Sequence, residues 1–128
     1  MFQKCIKDLL TSQHKDGGWA QESGMESDPY ATGETLVALH MAGGIETSDP
    51  VYRRGVAFLL RTVEDDGSWF VRSRSFPFQG YIESGYPGHQ DQFISVAAAT
   101  WATAALAYSL PSVRGVAMKN GRQSAAIR

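Results

Sequence analysis

The side chains best suited to chemistry lie in one stretch, residues 70–91. Glu83 and Asp91 are the only acids in this stretch, and His89 lies between them. Glycoside hydrolysis needs two carboxyl groups about 5 to 9 Å apart, and a histidine beside carboxylates can also bind a metal ion. Glu83, His89 and Asp91 are therefore the candidate catalytic residues.

A structural role accounts for the same three residues. Asp91 precedes a predicted helix, and its carboxylate could accept a hydrogen bond from the N–H of Phe93 or Ile94 as an N-cap. The three polar side chains would then fasten the loop to the helix. Because the single cysteine and the three histidines show no tight ligand spacing, we predict no metal and no other cofactor.

Half of the aromatic side chains of the protein lie in this stretch or directly beside it. A disordered segment would not be so aromatic, so we expect this loop to be packed. Aromatic rings also line pockets for apolar molecules and sugars. The candidate ligand-binding residues are Phe78, Tyr81, Tyr86 and Trp101.

Four helices predicted from hydrophobic periodicity must position these residues. The first spans residues 2–13 and the second about 32–42. The third begins near Asp49-Pro50, an N-cap followed by a proline in the first turn, and the fourth spans about 92–109. The expected inward residues are Leu36, Val37 and Leu39 in the second helix, Val56, Leu59, Leu60 and Val63 in the third, and Ile94, Ala97, Ala98, Trp101, Ala105 and Tyr108 in the fourth.

One phrase occurs twice, at residues 9–19 and 59–69, each time as an apolar helix end, an Asp-Gly turn and a tryptophan. Such self-similarity is typical of stacked helical pairs. Each aspartate can accept backbone N–H groups in its turn, and each tryptophan can cover the end of its helical pair. We therefore predict structural roles for Gln13, Asp16, Trp19, Asp66 and Trp69.

The repeats define the expected organisation of the chain. Repeat one covers 2–44, repeat two covers 50–110, and the second contains the loop at 70–91 as an insertion of about 17 residues. Residues 1–111 would form one domain. Residues 112–128 carry four basic and no acidic side chains, so we expect a weakly ordered basic tail.

The repeated phrase resembles the QW motif of the squalene cyclase and protein prenyltransferase superfamily. The stretches 76–87 and 89–95 resemble the C-terminal part of bacterial cyclase-like proteins. The resemblance implies an all-α fold, an α/α toroid, of which four to five helices form a partial ring. Copy one matches at Leu9, Gln13, Asp16, Gly18 and Trp19 but has Asp8 at the aromatic position; copy two matches at Arg54-Gly55, Phe58-Leu59, Asp66-Gly67 and Trp69 but has Val63 in place of Gln.

The resemblance also concerns function, because the sequence lacks the DxDD acid motif of the cyclases in this superfamily. Class II terpenoid cyclases of this superfamily protonate an alkene with a DxDD aspartate, and the nearest acidic run here, Glu64-Asp65-Asp66, lies in a turn of the motif. We therefore expect a non-catalytic binding or assembly domain for an apolar small molecule or a partner, completed as a homodimer or as part of a larger toroid. The alternative is a terpenoid cyclase-like or carbohydrate-active enzyme with a site formed between subunits.

Composition argues against two other classes. The 128 residues carry a formal net charge of −1, which does not favour nucleic acid as a partner. The sequence contains no apolar run near the ~20 residues of a membrane span and no N-terminal signal pattern. We therefore expect no membrane span and a cytoplasmic location.

Overall fold

The computed structural model describes residues 1–76 and 80–111, and this part of the chain is all-α, as predicted. Phe78 and the basic tail at 112–128 lie outside the described residues. None of the described helices is long and apolar enough to cross a membrane. The helices are α1 (Phe2–Thr11), α2 (Pro29–Met41), α3 (Pro50–Thr62) and α4 (Gln92–Ser109), with a single 3₁₀ turn at His89–Asp91.

An Asp-Pro pair begins both α2 and α3. The Asp49 carboxylate accepts a hydrogen bond from Val51 N at 2.8 Å, which confirms the predicted start of α3. Asp28 caps α2 in the same way, through Ala31 N at 2.8 Å, so α2 begins about one turn before the predicted residue 32. The Asp28-Pro29 pair was thus a start signal equal to Asp49-Pro50.

The central contact of the fold is between α2 and α4, the two helices that pack most extensively. A Cβ atom added to Gly33 would lie 2.7 Å from the Ala102 nitrogen and 2.8 Å from the Trp101 carbonyl carbon, so the two backbones touch. Ala98 and Ala102 of α4 are fully buried at this contact. Small residues on both helices therefore permit the close approach that the alanine-rich sequence predicted.

The inward face of α4 differs in part from the prediction. Ser95 is fully buried, whereas Trp101 is half-buried and Tyr108 is exposed. Because the Gly33 contact brings the two backbones together, the small residues fill the interface and the bulky rings move to its rim.

The inward face of α3 is also rotated relative to the prediction. Leu59 is buried as expected, but Leu60 is 58% exposed and Val63 lies at the surface. The buried positions are instead Tyr52, Gly55, Phe58 and Leu59. Close packing decides this rotation, because a Cβ at Gly55 would lie 2.7 Å from Leu36 Cδ2.

Tyr52 ties α3 to α4. Its hydroxyl donates a hydrogen bond to the Ala105 carbonyl oxygen at 2.7 Å, and its side chain is fully buried. Burial, with a smaller contribution from the Tyr108 phenol, raises the pKa of Tyr52 from 10.0 to about 12. The folded protein therefore holds this proton more tightly than the unfolded chain does.

We expect a pH dependence of stability from this tyrosine. Because the folded pKa is raised, the stabilisation is complete below pH 10 and is lost as the pH rises through about 12. Tyr52→Phe removes the titration, so the variant should show a shallower loss of stability over that interval, and it should lose about 1 kcal/mol at neutral pH with the hydrogen bond. Urea unfolding of both proteins across the interval measures this difference. Parallel pH profiles would contradict the assignment.

Helix α1 is the least covered element. None of its residues is buried, and Phe2 is 57% exposed. Ile6, Leu9 and Leu10 are half-buried against the core. The predicted apolar stripe of α1 is therefore present but only partly covered within the described residues.

Candidate functional site

The two copies of the repeated phrase form turns with the same geometry: turn 1 (residues 13–19) and turn 2 (residues 63–69). Each tryptophan donates its indole N–H to a leucine carbonyl ten residues earlier, at 2.8 Å from Trp19 and 3.0 Å from Trp69. Asp16 and Asp66 each accept a hydrogen bond, at 2.9 Å, from the backbone N–H two residues later. In both turns the intervening glycine has a positive φ.

Turn 1 is covered by α3. Gln13 Nε2 donates to the Val51 carbonyl oxygen at 2.9 Å, and the Arg54 guanidinium donates to Gln13 Oε1 at 2.6 and 3.1 Å. Two helical turns after Arg54, the Arg61 guanidinium donates to the Asp16 carbonyl oxygen at 2.7 Å. A Cβ at Gly17 would lie 2.5 Å from the Arg54 oxygen. Turn 1 therefore joins the segment after α1 to α3.

Turn 2 has no equivalent cover among the described residues. A Cβ at Gly67 would meet no described atom within 4 Å, and Val63 replaces the glutamine that bridges turn 1 to α3. Hydrogen bonds from Ser68, first from its hydroxyl and then from its backbone N–H, lower the pKa of Asp66. An open cavity of about 460 Å³ lies at the turn and is lined by Glu64, Asp65, Asp66, Ser68, Trp69, Phe70 and Pro87.

The three candidate catalytic residues have separate partners. Asp91 Oδ1 accepts a hydrogen bond from Ser73 N at 2.7 Å, and Glu83 Oε1 accepts one from Gly85 N at 3.0 Å. Glu83 and His89 approach within 3.9 Å, with side chains 54% and 87% exposed. Asp91 thus fastens the start of the insertion to the start of α4.

One sequence-based expectation about these residues is wrong. Asp91 makes no side-chain cap to α4, because its carboxylate is engaged by Ser73 instead. Within residues 1–76 and 80–111, no three His, Cys, Asp or Glu side chains lie together as metal ligands.

The described candidate ligand-binding residues do not share one pocket. Tyr81 and Asp91 lie on a cavity of about 450 Å³ within the insertion, whose other lining residues are polar or small. Tyr86 is half-buried elsewhere in the insertion, and Trp101 packs against Gly33 between α2 and α4. The full lining of the cavity is Arg72, Ser73, Ser75, Gly80, Tyr81, Gln90 and Asp91.

Gln92 organises the insertion, although nothing in the sequence analysis pointed to it. It is fully buried; its Oε1 accepts hydrogen bonds from the backbone N–H and the hydroxyl of Ser84, and its Nε2 donates to the His89 carbonyl oxygen at 2.8 Å. Its position as the first residue of α4, directly after the loop, was the only available signal. A buried amide satisfied at both ends fastens Ser84 and the His89 carbonyl group to the start of α4.

Hydroxyl groups on α2 and α4 secure the chain after each turn. Thr32 Oγ1 accepts a hydrogen bond from Trp19 N at 2.9 Å, and Ser95 Oγ accepts one from Val71 N at 3.0 Å. Both hydroxyls are fully buried. A buried hydroxyl group thus attaches the chain after each turn to a neighbouring helix.

Comparison with known proteins gives two similar relatives. Over 98 residues the chain is 32% identical to a squalene–hopene cyclase of Bradyrhizobium diazoefficiens, and over 97 residues it is 31% identical to a probable squalene–hopene cyclase of Sinorhizobium fredii. Each alignment covers 68% of this chain, which spans 14% of the relative's length. No family model matches the chain, and no solved structure matches it significantly. The two similarities support the squalene cyclase superfamily.

Proposed function

We propose that this chain is a squalene cyclase-like helical repeat domain that binds or assembles with an apolar partner and does not catalyse cyclisation by itself. The supporting observation is incompletely covered apolar surface on two helices. On α1, which has no buried residue, Phe2 is 57% exposed. On α3, Leu60 is 58% exposed and lines a groove of about 440 Å³ together with Val56 and Ala57. In proteins built from stacked repeats, apolar surface of this kind is left where a further repeat can pack.

The environment of the acids also favours binding over cyclisation. An acid that protonates an alkene must act on an enclosed apolar substrate, because water would quench the carbocation. Glu64, Asp65 and Asp66 are exposed in turn 2, and the Glu83 side chain is 54% exposed. Asp91 is half-buried, but it accepts the Ser73 hydrogen bond in a polar cavity. These surroundings suit solvated or loop-fastening carboxylates.

The purified chain should be incubated with squalene and, separately, with a prenyl diphosphate, and the products should be analysed by mass spectrometry. We expect no conversion of either substrate. Native mass spectrometry of the same preparation should show an assembly or a retained apolar molecule. Robust conversion of either substrate by the chain alone would overturn the proposal.

The second candidate function is an enzyme whose site forms between subunits, and the cavity that carries Tyr81 and Asp91 favours it. In such an enzyme, Glu83→Ala or Asp91→Ala should abolish turnover without lowering stability. Our proposal predicts a different result: Asp91→Ala should lower the free energy of unfolding by about 1 to 3 kcal/mol, because Ser73 N–H loses its acceptor.

Two control variants separate these outcomes. Glu83→Ala should change stability by less than about 0.5 kcal/mol, since the side chain lies at the surface. Asp91→Asn keeps an oxygen that can accept the Ser73 hydrogen bond but removes the acid. Unfolding in urea measures all three variants. Equal stability of Asp91→Ala and the unmodified chain would argue against a loop-fastening role.

A further inference from the structure

The packing of α3 on turn 1 shows how a helix can dock on a turn of this kind. Turn 1 holds α3 through Gln13, and α3 places two arginines against the turn, Arg54 and Arg61, seven residues apart on one helix face. The two arginines meet oxygen atoms of Gln13 and Asp16. A turn of this geometry therefore accepts a helix that carries a cation near its first turn.

Turn 2 repeats the geometry of turn 1 and leaves the docking position open among the described residues. The tryptophan and aspartate hydrogen bonds are the same in both turns. Gly67 faces no described atom, whereas Gly17 contacts α3. The charge differs, because turn 2 reads Glu64-Asp65-Asp66 where turn 1 reads His14-Lys15-Asp16. Turn 2 should therefore attract a cationic helix more strongly than turn 1 does.

Helix α1 is the counterpart of α3 in the first repeat. With an offset of 50 residues, Lys4 corresponds to Arg54, Ile6 to Val56 and Leu10 to Leu60. Lys4 is exposed, and α1 has no buried residue. Phe2 corresponds to Tyr52, which is fully buried in repeat two, yet Phe2 is 57% exposed. Helix α1 therefore keeps the cation at the Arg54 position and the apolar residues, while Thr11 stands at the Arg61 position. It has only part of the cover that α3 receives.

We propose that α1 of a second copy of this chain docks on turn 2 and the exposed side of α3, with Lys4 facing the Glu64–Asp66 run. The contact would continue the internal stacking of repeat one on repeat two, and it rests on the assembly function proposed above. The two surfaces differ, so the arrangement is head to tail. Each added copy presents a new turn 2 until the array closes into a ring.

Sedimentation velocity of the full chain over a concentration series tests the arrangement. We expect self-association that weakens with salt, since the contact includes exposed charges. Lys4→Glu should raise the dissociation constant by about 5-fold, the effect of losing an exposed ion pair and gaining repulsion. Val63→Gln restores to turn 2 the bridging side chain of turn 1, and it should lower the dissociation constant by about 3-fold.

Two further measurements identify the surfaces that meet. Mixing Lys4→Glu with a chain that carries Glu64→Lys and Asp65→Lys should restore association between the two variants. Lys15→Glu is the matched control: it changes net charge by the same amount, but it lies in turn 1, and the proposed contact pairs it with no residue of turn 2. We expect the control to associate as the unmodified chain does.

The outcomes separate this inference from the proposed function. Self-association that Lys4→Glu and Lys15→Glu alter equally would overturn the head-to-tail contact and leave the assembly function standing. A monomer at every concentration would also overturn the contact. If that monomer also retains no apolar molecule in native mass spectrometry, the assembly function is rejected as well.

Discussion

Gly33→Val is expected to destabilise the protein by about 3 kcal/mol or more. A Cβ at this position would lie 2.7 Å from the Ala102 nitrogen and 2.8 Å from the Trp101 carbonyl carbon, and both neighbours are backbone atoms. Backbone cannot move aside as a side chain can, so α2 and α4 must separate along their main contact. Overpacking of a buried site typically costs about 1 to 3 kcal/mol, and a forced helix separation lies at or above the upper end.

The measurement for this variant is urea unfolding followed by circular dichroism. Ala38→Val is the matched control, because it places the same side chain on an exposed position of α2. Gly33→Ala gives a graded test: helix propensity alone would stabilise it by about 1 kcal/mol, so any net loss of stability reports the clash. A Gly33→Ala variant more stable than the unmodified chain would show that the two helices can part at little cost.

Trp19→Ala is expected to cost about 3 to 5 kcal/mol, the range for removing a large buried aromatic side chain. Trp19 is 3% exposed, and its indole N–H donates to the Leu9 carbonyl oxygen at 2.8 Å. Its backbone N–H is also held by the Thr32 hydroxyl. Residue 19 therefore joins α1 to α2: the indole bonds the end of α1, and the backbone N–H, which the substitution keeps, bonds α2. The loss is large against the roughly 5 to 15 kcal/mol that stabilises a typical domain.

Trp19→Phe separates the two contributions of the side chain. It keeps an aromatic ring in the site but loses the hydrogen bond to Leu9, so it should cost about 1 to 2 kcal/mol. Trp69→Phe should behave similarly, because Trp69 makes the equivalent bond to Leu59 at 3.0 Å. Thermal and urea unfolding of the variants measure these losses. A Trp19→Ala variant within 1 kcal/mol of the unmodified chain would show that the ring contributes little to holding α1 on the fold.

Features that depend on neighbours in the sequence could be predicted well. Asp49-Pro50 marked the start of α3, and the alanine-rich run marked α4. Asp28-Pro29 carried the same start signal and was overlooked, which placed the start of α2 about one turn late. A helix cap is a hydrogen bond between residues only two or three apart, so it can be predicted from the local sequence.

Features that depend on distant residues could not be predicted. The exposure of Leu60 and the burial of Gly55 follow from the contact of α3 with Leu36 on α2. The engagement of Asp91 by Ser73 joins residues 18 apart, across the insertion. An aspartate before a helix predicts an N-cap. The neighbouring residues do not show that its carboxylate will instead accept a hydrogen bond from a distant N–H group, that of Ser73.

The candidate site shows the same division. The sequence located the acids and aromatic residues of the insertion, but it left open which of them meet. Tyr81 and Asp91 share a cavity, and Trp101 is half-buried at the rim of the α2–α4 contact. Gln92, which bonds Ser84 of the loop, had no distinguishing pattern. The positions of loop residues are set by hydrogen bonds between residues far apart in the sequence. Such bonds produce no periodic sequence pattern from which they could be predicted.

The sequence by itself determined the all-α class, the four helices and the two equivalent turns, because helix periodicity, Asp-Pro starts and Asp-Gly turns act over a few residues. Tertiary structure alone decided that turn 1 is covered by α3 while turn 2 lies open among the described residues. Local sequences that share an Asp-Gly pair and a tryptophan form the same turn, but the surroundings of each turn depend on which helix packs against it. That asymmetry is the physical basis for the docking surface proposed here.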